Sequence, residues 1–428
     1  MSDILVKPAR TVQGTFSVPG DKSISHRALI LSAMADGKSK ITGLSDARDV
    51  ASTRRCLETL GVKISTLKGG TVAVAGKGKY GFRAAKGPLD AGNSGSTIRL
   101  LSGVVAAQPF TTTITGDESL CRRPMRRIIE PLERMGAHIE SSVYKAPLVI
   151  RGGALRSIDY ASTIASAQVK SCILLAGLYA NGTTRVTEPS PSRDHTERML
   201  EAFGVKAHFS QSGAGVQGPA TLQACDIDVP GDLSSASFFL VAASLLADSE
   251  ITIEQVSVNP TRMGIYDALS AMGAMIQTSP AVTLQGEPRA DLSVRSARLH
   301  SAALGGSMIP RIIDEIPVLA VAATQAQGTT VIRDAGELRL KESDRLTAIC
   351  KNLQAMGANV RETKDGMIIT GPTSLHGAEI ESYDDHRIAM AFAIAGLIAT
   401  GETLIKNGSC TEISFPGFFD LLDRIRHD

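Results

Sequence analysis

Gly20-Asp21-Lys22-Ser23-Ile24-Ser25-His26-Arg27 runs without a break into Ala28-Leu29-Ile30-Leu31-Ser32-Ala33-Met34-Ala35. The first half sets a glycine, a lysine, a hydroxyl and an arginine at the mouth of a helix; the second half is apolar on nearly every side. A helix N-terminus has unpaired N–H groups and partial positive charge, so a cationic, glycine-led start is suited to phosphate or carboxylate. An all-round apolar helix belongs in a core rather than on a surface. The stretch therefore predicts a buried helix whose charged entrance lies at the edge of the core.

The pattern recurs. Helices end at Leu60-Gly61-Val62, Met135-Gly136-Ala137, Phe203-Gly204-Val205, Met272-Gly273-Ala274 and Met356-Gly357-Ala358, with the glycines 75, 68, 69 and 84 residues apart. These glycines suit the left-handed position after a helix. A period near seventy gives about six units in the 428-residue chain, too long for the common solenoids. Within each unit an Ala/Leu-rich helix leads to a short β-branched strand, as in Ser39-Lys40-Ile41-Thr42, Thr111-Thr112-Thr113-Ile114-Thr115 and Thr329-Thr330-Val331-Ile332. A second helix and a strand pair follow. The class is α/β with parallel pairing and right-handed crossovers, three units to each of two lobes.

Six apolar helices are expected to begin after Arg27, near Thr97 to Arg99, near Gln168 to Lys170, near Ser234 to Ser237, after Glu315 and after Arg387. With pseudo-threefold symmetry in each lobe, their starts would face an anion-attracting cleft. Asn93-Ser94-Gly95-Ser96-Thr97 would let an anion approach the backbone closely.

Composition narrows the function. A formal net charge of +2, no Trp and 4% aromatic residues give no reason to expect nucleic acid. The basic knot Arg122, Arg123, Arg126 and Arg127 has the look of a solvated helix face. Six scattered cysteines without a C-x-x-C pair argue against zinc and against a disulfide framework. The N-terminus lacks a signal peptide's order and the apolar runs fall short of a membrane span, so a cytoplasmic protein is expected. Gly76-Lys77-Gly78-Lys79-Tyr80-Gly81 matches GxGxxG, but no apolar helix opens from it. The Gly20 stretch lacks the earlier glycine of a P-loop, and His195 in Arg193-Asp194-His195-Thr196-Glu197 has no second histidine four residues on, which leaves a capping role.

Near helix starts stand Lys22, Arg27, Arg123, Lys341, Arg345 and Arg387, with the carboxylate pairs Asp314-Glu315, Glu342 with Asp344, and Asp384-Asp385. Many cations and a few acids point to polyanionic substrates plus proton transfer. Lys341 and Arg345, four apart, are expected on one helical face with Glu342 pointing elsewhere. Asp314-Glu315, between Ile312-Ile313 and Ile316-Pro317-Val318, is expected in apolar surroundings that favour a general acid or base.

Taken in order, Gly20-Asp21-Lys22-Ser23, Leu89-Asp90-Ala91-Gly92-Asn93-Ser94-Gly95, Arg123-Pro124-Met125, Ser166-Ala167-Gln168-Val169-Lys170, Asp314-Glu315-Ile316-Pro317, Lys341-Glu342-Ser343-Asp344-Arg345 and Asp385-His386-Arg387 resemble the 5-enolpyruvylshikimate-3-phosphate synthase family over nearly the whole chain. The resemblance implies a two-lobed inside-out α/β barrel, each lobe three βαβαββ repeats, with crossings near Gly20 and Gly231. Residues 21–232 would form one lobe, and 1–20 with 233–428 the other. It implies transfer of the carboxyvinyl group of phosphoenolpyruvate to the 5-hydroxyl of shikimate 3-phosphate, with no cofactor and no metal, by a monomer. Shikimate 3-phosphate would meet Lys22, Ser23, Arg27, Ser166, Gln168, Asp314 and Lys341; phosphoenolpyruvate would meet Lys22, Gly95, Arg123, Gln168, Arg345 and Arg387. Asp314 would be the base at the hydroxyl and Glu342 the proton donor and acceptor at C3, with Lys22 as partner in both steps.

The set Gly20-Asp21-Lys22, Ser166 to Lys170, Arg193-Asp194-His195-Thr196-Glu197 and Asn259-Pro260-Thr261-Arg262 resembles the herbicide-tolerant second class, in which Arg193 would assist the shikimate phosphate. Tolerant members often have alanine where this chain has Gly95. One branch carries a lysine shortly before the C-terminal Phe-Pro, and Thr411-Glu412-Ile413-Ser414-Phe415-Pro416 has none. UDP-N-acetylglucosamine enolpyruvyl transferases share the donor and use a loop cysteine about five residues before the arginine; Cys121 is two before Arg123, and Ser23 stands where that family has asparagine. A two-lobed sensor binding a phosphorylated ligand without turnover would need the same cations but neither Asp314 nor Glu342.

Overall fold

The computed structural model describes residues 2–428. The chain divides into two compact units: a first of Gly20–Pro230 with Thr283–Glu287, and a second of the residues up to Pro19 with Gly231–Val282 and Pro288–Asp428. Each has its own apolar core.

The six expected apolar helices are all present: α1 (Lys22–Met34), α2 (Gly95–Val105), α3 (Ala167–Gly177), α4 (Leu233–Leu245), α5 (Ile316–Gln325) and α6 (His386–Ile398). The first begins at Lys22, so its cations sit on the opening turns rather than ahead of the helix. Burial runs round the whole circumference; in α4 every residue from Leu233 to Ser244 is buried. The outer helices differ: Arg126–Arg134 buries Ile128, Ile129, Pro131 and Leu132 and turns its charges outward. Central helices therefore form each core with sheets and amphipathic helices around them, and each fully buried Leu, Ile or Phe contributes about 1.5–3 kcal/mol.

Each module follows one plan. Leu89–Asp90, α2, Thr111–Thr115, the helix Arg126–Arg134, His138–Ser142 and Lys145–Arg151 give strand, helix, strand, helix and two strands. The first two strands pair in parallel (Leu89 opposite Ile114), and the last lies antiparallel between the second and third (Thr112 opposite Ile150, Ile139 opposite Ile150). The same order holds from Asp159 to Gly218, and in the second unit from Thr11 to Arg295 and from Ala303 to Gly371. Two modules borrow a strand. The module of α1 takes its first strand from Ile227–Asp228, parallel to Lys38–Thr42, and the module of α6 is closed by Ile4–Val6, antiparallel to Thr403–Lys406.

Backbone chemistry explains the joints. Gly61, Gly136, Gly204, Gly273 and Gly357 all have φ between 81° and 105°, the left-handed turn anticipated for them. Gly103 serves packing: a Cβ there would lie 2.2 Å from the Cys172 carbonyl oxygen, so only glycine lets α2 and α3 approach this closely. The GxGxxG stretch follows the strand Val72–Ala75 and opens no helix.

Candidate active site

Five of the six central helices are capped by a side chain at the end that carries the candidate residues. Asp21, Ser94, Ser166, Asp232 and Asp385 accept from backbone N–H groups of Ile24, Thr97, Val169, Ser234 and Arg387 at 2.9, 3.1, 3.5, 2.8 and 3.0 Å. Helix α5 starts instead with Pro317 in its first turn, where the missing N–H costs nothing. Each cap fixes the residues beside it, and these are the predicted ones.

In the first unit Lys22, Ser23 and Arg27 lie on the opening turns of α1. Lys22 Nζ is 2.9 Å from Asp49 Oδ2. Arg27 is buried and donates to Thr196 Oγ1 (2.7 Å), Ser171 Oγ (2.7 Å) and the Ser23 carbonyl (2.8 Å). Burial, with Arg193 nearby, lowers its pKa to about 10 against the pull of Glu197 and Asp21. Gly95 opens α2; a Cβ there would lie 2.6 Å from Arg99 Nη1 and 3.6 Å from Arg123 Nη1. Arg123 is held by Asn93 Oδ1 (2.5 Å), the Asn93 carbonyl (3.3 Å) and Ser119 Oγ (3.1 Å). Gln168 accepts from Arg99 Nη1 at 2.7 Å and donates to Ser96 Oγ at 2.9 Å, joining the starts of α2 and α3. Gly95, Ser166 and Gln168 are thus brought together at the starts of α2 and α3, and the Asp49 that holds Lys22 accepts from Thr97 Oγ1 on α2 at 3.4 Å through its carbonyl. The basic knot divides: Arg122 and Arg126 are exposed partners of Glu118 and Glu130, while Arg123 is buried.

In the second unit the candidates meet at one carboxylate. Asp314 Oδ1 is 3.3 Å from Lys341 Nζ and 3.5 Å from Arg345 Nη1; its Oδ2 is 3.9 Å from Arg387 Nη2, and Arg387 Nη1 donates to its carbonyl at 2.9 Å. Arg345 is 1% exposed and donates to Asp385 at 2.7 and 3.1 Å and to Glu342 Oε2 at 2.6 Å. Burial alone would lower its pKa; Asp385, Glu342 and Asp314 reverse that and raise it. Burial would likewise raise Asp385, but Arg345 holds its carboxyl below the ordinary value.

Three expectations are corrected. Lys341 and Arg345 do not share a helix: a 3₁₀ turn ends at Leu340 and the α-helix starts at Arg345, so an extended Lys341 brings both to Asp314 while Glu342 turns onto Arg345. Asp314 is surrounded by three cations, not by its isoleucine neighbours, because Ile312 and Ile316 turn into the core. His195 opens the helix His195–Ala202, but its ring is buried and turned to Glu287, with Nδ1 2.7 Å from Oε1 of a partner 92 residues away. Sequence reasoning also missed Asp49 and Lys170. The latter lies inside a quoted motif, and a lysine on the buried helix Ala167–Gly177 was a readable signal that an acidic partner must exist.

Among the described residues no helix is long and apolar enough to cross a membrane, and no group of three or more His, Cys, Asp or Glu could hold a metal ion. All six cysteines are free thiols.

Residues 6–422 match the model of the family described as EPSP synthase (3-phosphoshikimate 1-carboxyvinyltransferase). The 3-phosphoshikimate 1-carboxyvinyltransferase of Gloeobacter violaceus is 52% identical over 424 residues, covering 98% of each chain. That of Brevibacillus brevis is 51% identical over 422 residues, 98% of this chain and 99% of the relative. Among solved structures an EPSP synthase from Acinetobacter baumannii superposes with a TM-score of 0.89 at 41% identity, over 99% of this chain and 98% of that one. An enolpyruvyl transferase from Streptomyces tendae, 17% identical, shares the fold with a TM-score of 0.81 over 99% of this chain and 97% of the other.

Proposed function

The chain belongs to the EPSP synthase (3-phosphoshikimate 1-carboxyvinyltransferase) family, and we propose that it carries out that reaction with Asp314, Glu342 and Lys22 as its proton-transfer groups. It is an enolpyruvyl transferase of the shikimate pathway, taking phosphoenolpyruvate and shikimate 3-phosphate to 5-enolpyruvylshikimate 3-phosphate and phosphate. The observation that carries the assignment of roles is the Asp314 carboxylate, 3.3 to 3.9 Å from three cations beside a second, partly exposed acid, Glu342.

The 5-hydroxyl oxygen of shikimate 3-phosphate attacks C2 of phosphoenolpyruvate and its proton passes to Asp314. C3 gains a proton from Glu342 and becomes a methyl group. The tetrahedral intermediate then loses a proton from C3 back to Glu342 while the C2–O bond to phosphate breaks and the proton held by Asp314 passes to the departing phosphate, which returns both carboxylates to their starting state. Lys22 balances charge in both steps. Two multiply charged anions repel by several kcal/mol at close range even at an effective dielectric of about 20. Charge-assisted hydrogen bonds contribute about 1.5–3 kcal/mol each, so the cations offset that repulsion. Shikimate 3-phosphate is assigned to Lys22, Ser23, Arg27, Ser166, Gln168, Arg193, Asp314 and Lys341, and phosphoenolpyruvate to Lys22, Gly95, Arg123, Gln168, Arg345 and Arg387. The absent C-terminal lysine leaves phosphoenolpyruvate to these groups. A cytoplasmic monomer is part of the same reading.

The deciding experiment is phosphate release from phosphoenolpyruvate with shikimate 3-phosphate or with UDP-N-acetylglucosamine as acceptor. Turnover with the first alone is expected. Turnover with the nucleotide sugar, or binding without release, would overturn the reading.

A further inference from the structure

Lys170 is almost fully buried, yet it is cationic and no step of the reaction uses it. Its ammonium lies 3.0 Å from Glu188 Oε2, 2.9 Å from Glu197 Oε1 and 3.3 Å from the Ser192 carbonyl. The ammonium donates to the Ser192 carbonyl and is paired as an ion with the two carboxylates. Burial alone would lower the pKa of Lys170, but the two glutamates raise it, so the charge stays.

What these partners hold gives the lysine its meaning. Glu188 Oε1 accepts from the Ser166 backbone N–H at 2.9 Å, and Glu188 Oε2 accepts from Ser192 Oγ at 2.8 Å. Ser166 caps α3, and Ser192 directly precedes Arg193. Residues 188–194 have no helix or strand of their own, so nothing in a backbone ladder fixes where Ser192 and Arg193 sit. Lys170 fixes Ser192 by the carbonyl and, through Glu188, by the hydroxyl. Glu197, on the helix that follows, is the third anchor and lies close enough to Arg27 to raise its pKa.

We propose that Lys170 is a positioning residue for shikimate 3-phosphate: with Glu188 and Glu197 it pre-sets Ser166 and the loop bearing Arg193 for the sugar phosphate. The proposal rests on the assignment of Ser166 and Arg193 to that substrate. Lys170 touches neither substrate, and its loss acts through the geometry of groups that do. A bound dianion held by misaligned donors loses affinity, while the carboxylates that move protons, Asp314 and Glu342, are untouched.

The test measures kcat and both KM values together with urea midpoints. Lys170→Met is expected to raise KM for shikimate 3-phosphate about tenfold, the loss of roughly one charge-assisted hydrogen bond, with KM for phosphoenolpyruvate and kcat within about twofold. Lys170→Arg keeps the charge and is expected to recover most of that affinity. Because Lys170→Met leaves two buried carboxylates facing each other and so threatens folding, Glu188→Gln, which keeps the shape, supplies an independent reading: a rise of about threefold in the same KM alone. A lower urea midpoint with unchanged KM values, or a parallel fall in kcat and rise in both KM values, would overturn the proposal. Ser166→Ala in the same assay separates the two levels. If it leaves the shikimate 3-phosphate KM unchanged, the ligand assignment fails; if it raises it while Lys170→Met and Glu188→Gln do not, the positioning role fails.

Discussion

The two units solve the burial of arginine differently. In the first, the buried Arg27 is held by two hydroxyls and a carbonyl. In the second, the buried Arg345 is held by Asp385, Glu342 and Asp314. Neutral partners leave a guanidinium's charge available to an incoming anion. Carboxylate partners neutralise it and keep acids at hand for proton transfer. Lys22 with Asp49 and Lys170 with Glu188 and Glu197 are carboxylate-held cations on the first side, and Lys22 is the one assigned a part in the chemistry.

The contrast breaks first at Asp314. Asp314→Ala should lower kcat about a thousandfold, in the range of a lost general base, with shikimate 3-phosphate still detected by titration calorimetry. Full activity would remove the base from the second unit. Stability gives the next largest effect. Arg345→Met abandons buried carboxylates and should cost about 3–5 kcal/mol by urea unfolding, whereas Arg27→Met leaves Ser171 and Thr196 bonded to each other at 2.6 Å and should cost about 1–3 kcal/mol. Equal losses would erase the distinction. Arg123→Ala should raise KM for phosphoenolpyruvate about 10- to 100-fold with a small change in kcat, since it binds without moving a proton.

Acid should separate the units by sign, the smallest effect of the four. Asp385 is held below its ordinary value of 3.8, so its contribution is present above that pH and is lost as pH falls through the lower folded value. Glu197 is the reverse: burial outweighs Lys170 and raises it above 4.5, so its contribution is full below 4.5 and is lost as pH rises through the folded value. Pulsed hydrogen exchange carried from pH 6 to well below 3.8 should therefore show the first turn of α6 losing protection while the helix His195–Ala202 does not.

Much of this was readable in advance where the information is local. All-round apolarity announced the six central helices, and a glycine after five of the outer helices marked the turns, because both depend on residues within a few positions. Partnerships across modules were not readable. Lys170 finds Glu188 and Glu197 through folding alone, and His195 finds Glu287 in a segment whose chain neighbours belong to the other unit. Asp314 was misjudged for a related reason: its neighbours in sequence are isoleucines, but a helix start turns successive side chains apart, so they enter the core while Asp314 faces Lys341.

The two borrowed strands set a timetable for synthesis. The edge of Lys38–Thr42 has no parallel partner until Ile227–Asp228 has left the ribosome, and Ile4–Val6 waits for Thr403–Lys406, which is made far later. A nascent chain stalled before residue 227 would expose an unpaired strand edge, a template for association with other chains.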